Sequence, residues 1–174
     1  MAIFSRPSNL QLDIWLKAIA RGDRDALASL YNATSSGIYA YILSIVQSPH
    51  DAQDLLHDCY ITIWNTADSY RSKNKPMAWI ITLARNLCYK RINKRNLFQP
   101  LEDAYLESIM DSQSEDALML RNCMLILSGE ERQIVLLHVI AGCTHREIAQ
   151  MLCLKASTVM SKYHRALKKL RDSF

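Results

Sequence analysis

The sequence predicts an all-α protein built from two small helical domains, and three observations carry that prediction. Only four Gly and four Pro interrupt the 174 residues. Apolar residues recur mostly at intervals of three and four, the spacing of one helix face. The last thirty-odd residues form two short amphipathic segments joined by a tight turn, the pattern of a helix-turn-helix. With 49% hydrophobic residues the chain can bury a sizeable core. Gly22, Gly37, Gly129 and Gly142 are scattered, which excludes a glycine-rich phosphate cradle of the Rossmann or P-loop kind.

Taken in order, Leu10, Ile14, Leu16 and Ile19 predict a first helix ending near Gly22. Asp23 is placed to cap a long second helix with Leu27, Leu30, Tyr31, Ile38, Tyr41, Ile42 and Ile45 inside, stopped by Pro49. Residues 26 to 49 carry no formal charge. Their Asn, Thr, Ser and Gln content and helical spacing make a buried core helix rather than a membrane span. A third helix restarts between Ser48 and Asp51. Its apolar Leu55, Leu56, Cys59, Tyr60, Ile63 and Trp64 alternate with Asp51, Asp54 and Asp58, so one side is acidic and the other apolar. A polar loop from Asp68 to Lys75 leads to Pro76, a favoured first residue of a helix. The fourth helix, Met77 to Asn93, puts Trp79, Ile80, Leu83, Leu87 and Cys88 inside and turns basic toward its end.

Residues 97–115 lack a strong period and are acidic, which predicts a linker between a first domain at 1–96 and a second at 116–174. In the second, Leu118, Leu120, Met124 and Leu125 precede a capping box of Ser128 and Glu131 that opens a helix to Ala141. Thr144 and Glu147 form another, so a helix starts near His145 with Ile148, Ala149 and Leu152 on one side. The chain turns from Cys153 to Ala156, and Ser157 or its neighbour caps the last helix. There Val159, Tyr163, Ala166 and Leu170 make an inward stripe. Ser157, Thr158, Ser161, His164, Arg165 and Lys168 point away from it, flanked by Lys162 and Lys169. Short hydroxyl side chains let a helix approach base edges, and the cations beyond can meet phosphate or a guanine edge.

Net charge is only +4, but its distribution is uneven. Arg85, Lys90, Arg91, Lys94 and Arg95 form one basic block, and Lys155 to Arg171 contains a second. Between them lies an acidic stretch with Glu102, Asp103, Glu107, Asp111, Glu115 and Asp116. Two basic patches suggest two DNA-facing modules on one chain. The five cysteines, Cys59, Cys88, Cys123, Cys143 and Cys153, are odd in number and contain no Cys-x-x-Cys pair, so they read as small hydrophobes in a reducing cytosol. His138, Cys143 and His145 lack an evident fourth ligand, and no metal is expected. No secretory signal opens the chain, which predicts a cytoplasmic protein without membrane insertion.

Several words, in this order and at these separations, carry a family resemblance: Asp51, Asp54, Leu55 and Asp58 followed by Ile61 and Trp64; Ala78-Trp79-Ile80-Ile81 and Arg85-Asn86-Leu87; Leu127 with Glu130-Glu131-Arg132; then Glu147-Ile148-Ala149, Thr158-Val159 and Arg165-Ala166. Over most of its length the chain resembles bacterial sigma factors of the extracytoplasmic-function group, in the sigma-70 family. That resemblance implies a first domain that docks on the clamp helices of core RNA polymerase and opens the promoter's minus-ten element. It implies a second domain that binds the minus-thirty-five element and the polymerase flap.

Carried over by position, Asp51, Asp54, Leu55, Asp58 and Ile61 look like the polymerase-docking surface, while Trp64 fits docking or core equally. Residues Lys73, Asn74 and Lys75, with Arg85, Asn86, Lys90, Arg91 and Lys94, look like the part that captures an unpaired base of the melted strand. Trp79 reads as packing rather than as a stacking platform. Ser157, Thr158, Met160, Ser161, Lys162, His164 and Arg165 look like the minus-thirty-five surface. Lys90 stands where the family usually has an acid, Met160 where it has Lys or Arg, and Cys153 where a turn glycine is frequent. Met160 implies a shifted promoter preference. Cys153 implies that the turn avoids a left-handed conformation or accepts strain.

The resemblance implies no catalytic residue, cofactor or metal. Its implied partners are core RNA polymerase, promoter DNA and an anti-sigma factor that covers the same docking surfaces. The rival reading is a stand-alone helix-turn-helix regulator that binds duplex operator DNA without polymerase. It accounts for residues 144 to 171 but leaves the acidic helix and first basic block without a task.

Overall fold

The computed structural model describes residues 7–72, 74–96 and 126–173. The expected linker, the start of the expected second domain and Lys73 lie outside them. The described residues form helices α1 (Asn9–Ile19), α2 (Arg24–Val46), α3 (Pro49–Thr66), α4 (Pro76–Asn96), α5 (Gly129–Val139), α6 (His145–Leu152) and α7 (Ala156–Arg171), with one 3-10 turn at Ala67–Ser69.

Local signals set most of the helix starts. Ser8 Oγ accepts from Gln11 N–H at α1, Asp23 Oδ1 from Asp25 and Ala26 N–H at α2, and Ser48 Oγ from Asp51 N–H at α3, where Pro49 is the first residue. Ser128 with Glu131 and Thr144 with Glu147 both close as capping boxes. The end of α2 is a residue-level event: Gln47 adopts a left-handed conformation with φ 54° and donates its N–H to Leu43 O.

Helices α1, α3 and α4 pack around α2, whose Leu30, Ile38, Tyr41 and Ile42 are fully buried. No helix among the described residues is long and apolar enough to cross a membrane. The α1 stripe differs from the sequence expectation. Leu12, Leu16 and Ile19 are buried, while Leu10 and Ile14 are 69% and 50% exposed. Both sets are at helical spacing, and the side turned to α2 decided between them.

Helices α5, α6 and α7 form a second unit held by Ile134, Leu137, Ile148, Val159 and Ala166. One ring from each helix meets at its centre. The rings of His138 and His145 lie 5.1 Å apart, and Tyr163 lies 4.8 and 4.9 Å from the two. The His138 ring is also held through Nδ1, which is hydrogen-bonded to the Cys143 carbonyl at 2.9 Å. Among the described residues no group of three or more such side chains could hold a metal. Cys59, Cys88 and Cys143 are buried and Cys153 is exposed. Burial pushes the thiols of Cys59 and Cys88 up to about 12, so both stay protonated and apolar.

The two units touch. Helix α5 ends against α2, where Gly37 lets Ile140 come close: a Cβ on Gly37 would stand 3.2 Å from Ile140 Cγ2. A cavity of about 340 Å³ opens beside this contact, lined among others by Leu12, Thr34, Met77 and Val139. Lys75 Nζ, just before α4, is hydrogen-bonded to Glu147 Oε1 of α6.

Candidate nucleic-acid interface

Three surfaces gather the residues that the sequence singled out. On α3 the exposed face carries Asp54, Asp58 and Ile61, and Ile61 is 58% exposed. Asp54 lies 3.5 Å from His50 Nδ1 one turn earlier. Two expected members of this face are not on it. Leu55 is 2% exposed and belongs to the core. Asp51 is buried and accepts from Arg91 Nη1 at 3.0 Å, because the first turn of α3 lies under the second half of α4. Trp64 is half-buried against the core.

The same ion pair removes Arg91 from the basic block of α4. Asn86, Lys90 and Lys94 remain exposed along one side of that helix. Arg85 is half-buried, its guanidinium stacked 4.8 Å over the Tyr89 ring, and its Nε is buried without a hydrogen bond. Tyr89, which the sequence reading passed over, is an exposed ring among cations, the form of a base-stacking platform. Trp79 packs instead against Tyr70, ring centres 5.1 Å apart.

Tyr70, Ser72, Asn74 and Lys75, between the 3-10 turn and α4, each make a hydrogen bond to a distant helix. Asn74 is exposed and left-handed, φ 58°. From α1, Asp13 Oδ1 accepts from Tyr70 OH and Asp13 Oδ2 from Ser72 Oγ, and Asn9 Nδ2 donates to Asn74 O at 2.8 Å. Neither Asn9 nor Asp13 belongs to a local motif, so periodicity alone had no means of finding them. Lys75 is already paired. Its ammonium, followed by the Thr144 backbone and hydroxyl, holds the Glu147 carboxyl down at about 2.

In the third surface, α7 presents Ser157, Met160, Ser161, His164, Arg165 and Lys168 to solvent, with Thr158 partly covered. Lys162 leans the other way, 2.5 Å from Glu130 of α5. Farther along, Lys169 pairs with buried Glu131 at 2.8 Å. Burial alone would raise the Glu131 carboxyl, but the hydrogen bonds from Lys169 and Ser128 outweigh it and keep it below its usual value. His145 is pushed below its usual value by burial, then by His138 and His164, so its imidazole favours the neutral form.

The cap expected from Ser157 is absent. Lys155 precedes the helix and offers no side-chain cap, because the turn closes sooner than the sequence suggested. Cys153 takes the left-handed conformation, φ 55° and ψ 39°, and Leu154 N–H reaches Ala149 O at 2.9 Å. Cys153 therefore accepts the strain that a glycine would avoid. Helix α7 consequently opens with no side-chain cap and no acid in its first turn, an end whose N–H groups and dipole favour phosphate.

Comparison with known proteins agrees in both halves. Residues 30–97 match the family model for Sigma-70 region 2, and residues 117–170 match Sigma-70, region 4. The chain is 27% identical to the ECF RNA polymerase sigma factor SigK of Mycobacterium ulcerans over 172 residues, covering 92% of each chain. It is 26% identical to SigK of Mycobacterium sp. strain KMS, covering 92% of this chain and 89% of that one. Among solved structures it resembles the sigma factor RpoE of Bartonella quintana, crystallised with the anti-sigma factor NepR. There the TM-score is 0.61 at 19% identity, over 83% of this chain and 94% of that one. CnrH, solved with the cytosolic domain of CnrY, aligns with TM-score 0.57 at 18% identity over 93% and 96% of the two chains.

Proposed function

Because this chain belongs to the sigma-70 family, we infer that it is a promoter-selecting initiation subunit: it binds core RNA polymerase, opens the minus-ten element and holds the minus-thirty-five element. RNA synthesis itself is the core enzyme's chemistry. The observation that carries the reading is the presence, in one chain and in this order, of region 2 and region 4. A stand-alone operator-binding regulator would leave region 2 unused.

Domain limits of 1–96 and 116–174 with a linker at 97–115 fit this division of labour. Exposed Asp54, Asp58 and Ile61 are the proposed polymerase contacts. An acidic face with an apolar neighbour suits a basic coiled coil. Asn74 and Lys75 with Arg85, Asn86, Lys90 and Lys94 are the proposed single-strand surface, with Tyr89 added. Ser157, Thr158, Met160, Ser161, His164 and Arg165 are the proposed duplex-reading surface. Asp51, Leu55, Arg91 and Lys162, whose other contacts lie within their own unit, are left out, whereas the Lys75 contact with Glu147 lies between the units. An anti-sigma factor is a further candidate partner, since RpoE of Bartonella quintana was crystallised with one, and the cytoplasm is the proposed compartment.

Simultaneous binding at both elements requires the two units to part. Their targets are centred about 25 base pairs apart, roughly 85 Å at 3.4 Å per base pair, whereas Lys75 and Glu147 are in contact. The closed arrangement is therefore a resting one, and docking on the core enzyme separates its halves. The test is reconstitution. Purified protein should co-purify with bacterial core polymerase and confer promoter-dependent runoff transcription, and a preparation that does not bind core overturns the reading.

A further inference from the structure

We propose that Asp13, on a helix assigned no contact with DNA or polymerase, is a positioning residue for capture of the melted strand: with Asn9 it holds Tyr70, Ser72 and Asn74 in a preformed binding shape. The proposal rests on the reading of the 72–75 loop as the single-strand surface.

Asp13 is 8% exposed. Its oxygens are taken one each by the hydroxyls of Tyr70 and Ser72. A carboxylate is costly to bury, and a position that served only helix packing would be filled more cheaply by an apolar residue. Asn9, one turn earlier on the same face of α1, adds the bond to the Asn74 carbonyl. Asn74 sits in the left-handed region, which Asn tolerates better than other non-glycine residues, and the bond to its carbonyl ties that turn to α1. Three bonds from two side chains thus span the loop from Tyr70 to Asn74.

The strut continues into the base-binding helix, because the Tyr70 ring rests on Trp79 of α4. Burial first, then the bond to Asp13, pushes the Tyr70 phenol up to about 12, so it remains a donor at any working pH. Ordering entropy that a free loop would lose on binding DNA is lost here during folding, which raises affinity without a new contact to the strand.

The test uses holoenzyme assembled from this chain and core polymerase, with random single-stranded DNA 12-mers as the selecting probe and the selected oligonucleotide as the binding standard. Asp13→Leu, which fills the space without an acceptor, should bind that strand about ten-fold more weakly. Asp13→Asn, which retains an acceptor for Tyr70, should restore most of the loss. Core binding by Asp13→Leu should match the parent, which a general loss of structure would not allow, although the Tyr70 hydroxyl left unpaired lowers its melting temperature. Asn9→Ala, at an exposed site that tolerates change, should cost about two- to three-fold by the same route. Parental strand affinity in both Asp13→Leu and Asn9→Ala overturns the proposal. If Asn74→Ala and Lys75→Ala weaken binding while those two do not, only the role of Asp13 fails. If Asn74→Ala and Lys75→Ala also bind normally, the single-strand reading fails and takes the proposal with it.

Discussion

The 70–75 loop and the unit from Thr144 to Arg171 are both proposed to meet DNA, yet they are positioned by opposite means. In the helix-turn-helix the orienting bonds are local. Thr144 Oγ1 accepts from Glu147 N–H at 3.3 Å, Glu147 Oε2 accepts from Thr144 N–H at 2.8 Å, and the turn closes through Leu154 N–H to Ala149 O. In the loop the bonds reach 57, 59, 65 and 72 positions along the chain, to Asp13, Asp13, Asn9 and Glu147. A reading head built locally can keep its shape while its unit swings away. A loop tied to α1 at Tyr70, Ser72 and Asn74 keeps those bonds only inside the folded first domain, while the Lys75–Glu147 bond reaches across to the second unit.

The sharpest way to break the comparison is to collapse one region alone. Ile148 is fully buried between the helices of the second unit, and Ile148→Ala should cost about 2–5 kcal/mol through lost burial and a cavity. In urea titrations that loss should appear with weakened duplex binding. Single-strand binding by holoenzyme should survive at concentrations where the first domain stays folded, and its equal loss would mean that the two regions fold as one.

Arg165→Ala should have a smaller effect. Arg165 is exposed at the middle of α7 and bends toward Ser161 O at a loose 3.4 Å, so it is available to a phosphate. The slope of log affinity against log salt for a duplex promoter should flatten by about one unit. An unchanged slope with altered sequence preference would place Arg165 on a base instead.

The smallest effect concerns the link between the regions. The Glu147 carboxyl, ordinarily near 4.5, is held at about 2, first by Lys75 and then by Thr144. A depressed carboxylate contributes stability in full above pH 4.5, and that contribution fades as pH falls through about 2. The stability difference between the parent and Lys75→Met should follow this course in urea titrations at stepped pH. A difference that stays constant from pH 6 to pH 2 would rule the ion pair out as its source. Lys75 and Glu147 are 38% and 37% exposed, so solvent screening keeps the difference small.

Errors of the sequence reading occur where tertiary contact decides among equivalent helix positions. Asp51, Asp54 and Asp58 share one side of α3 by spacing, but the covering half of α4 turns Asp51 into the buried partner of Arg91. Leu10 and Ile14 have the same period as Leu12 and Leu16, and only the position of α2 makes the second pair core. At the turn, hydroxyl preference pointed to Ser157 as the cap, while the left-handed Cys153 shortened the connection and started α7 at Ala156.

What the sequence determined by itself is therefore what three- and four-residue spacings encode: an all-α chain, both capping boxes, the helix-turn-helix, and the charge that marks acidic and basic faces. These follow from bonds and periods within one turn of helix, which any stretch of chain carries with it. The tertiary structure alone decided that Asp13 holds Tyr70 and Ser72 and Asn9 holds Asn74, that Arg91 is spent on Asp51, and that Lys75 meets Glu147. Each of these joins residues 40 or more positions apart, a distance along the chain over which local preference is silent and only packing of whole helices brings atoms together.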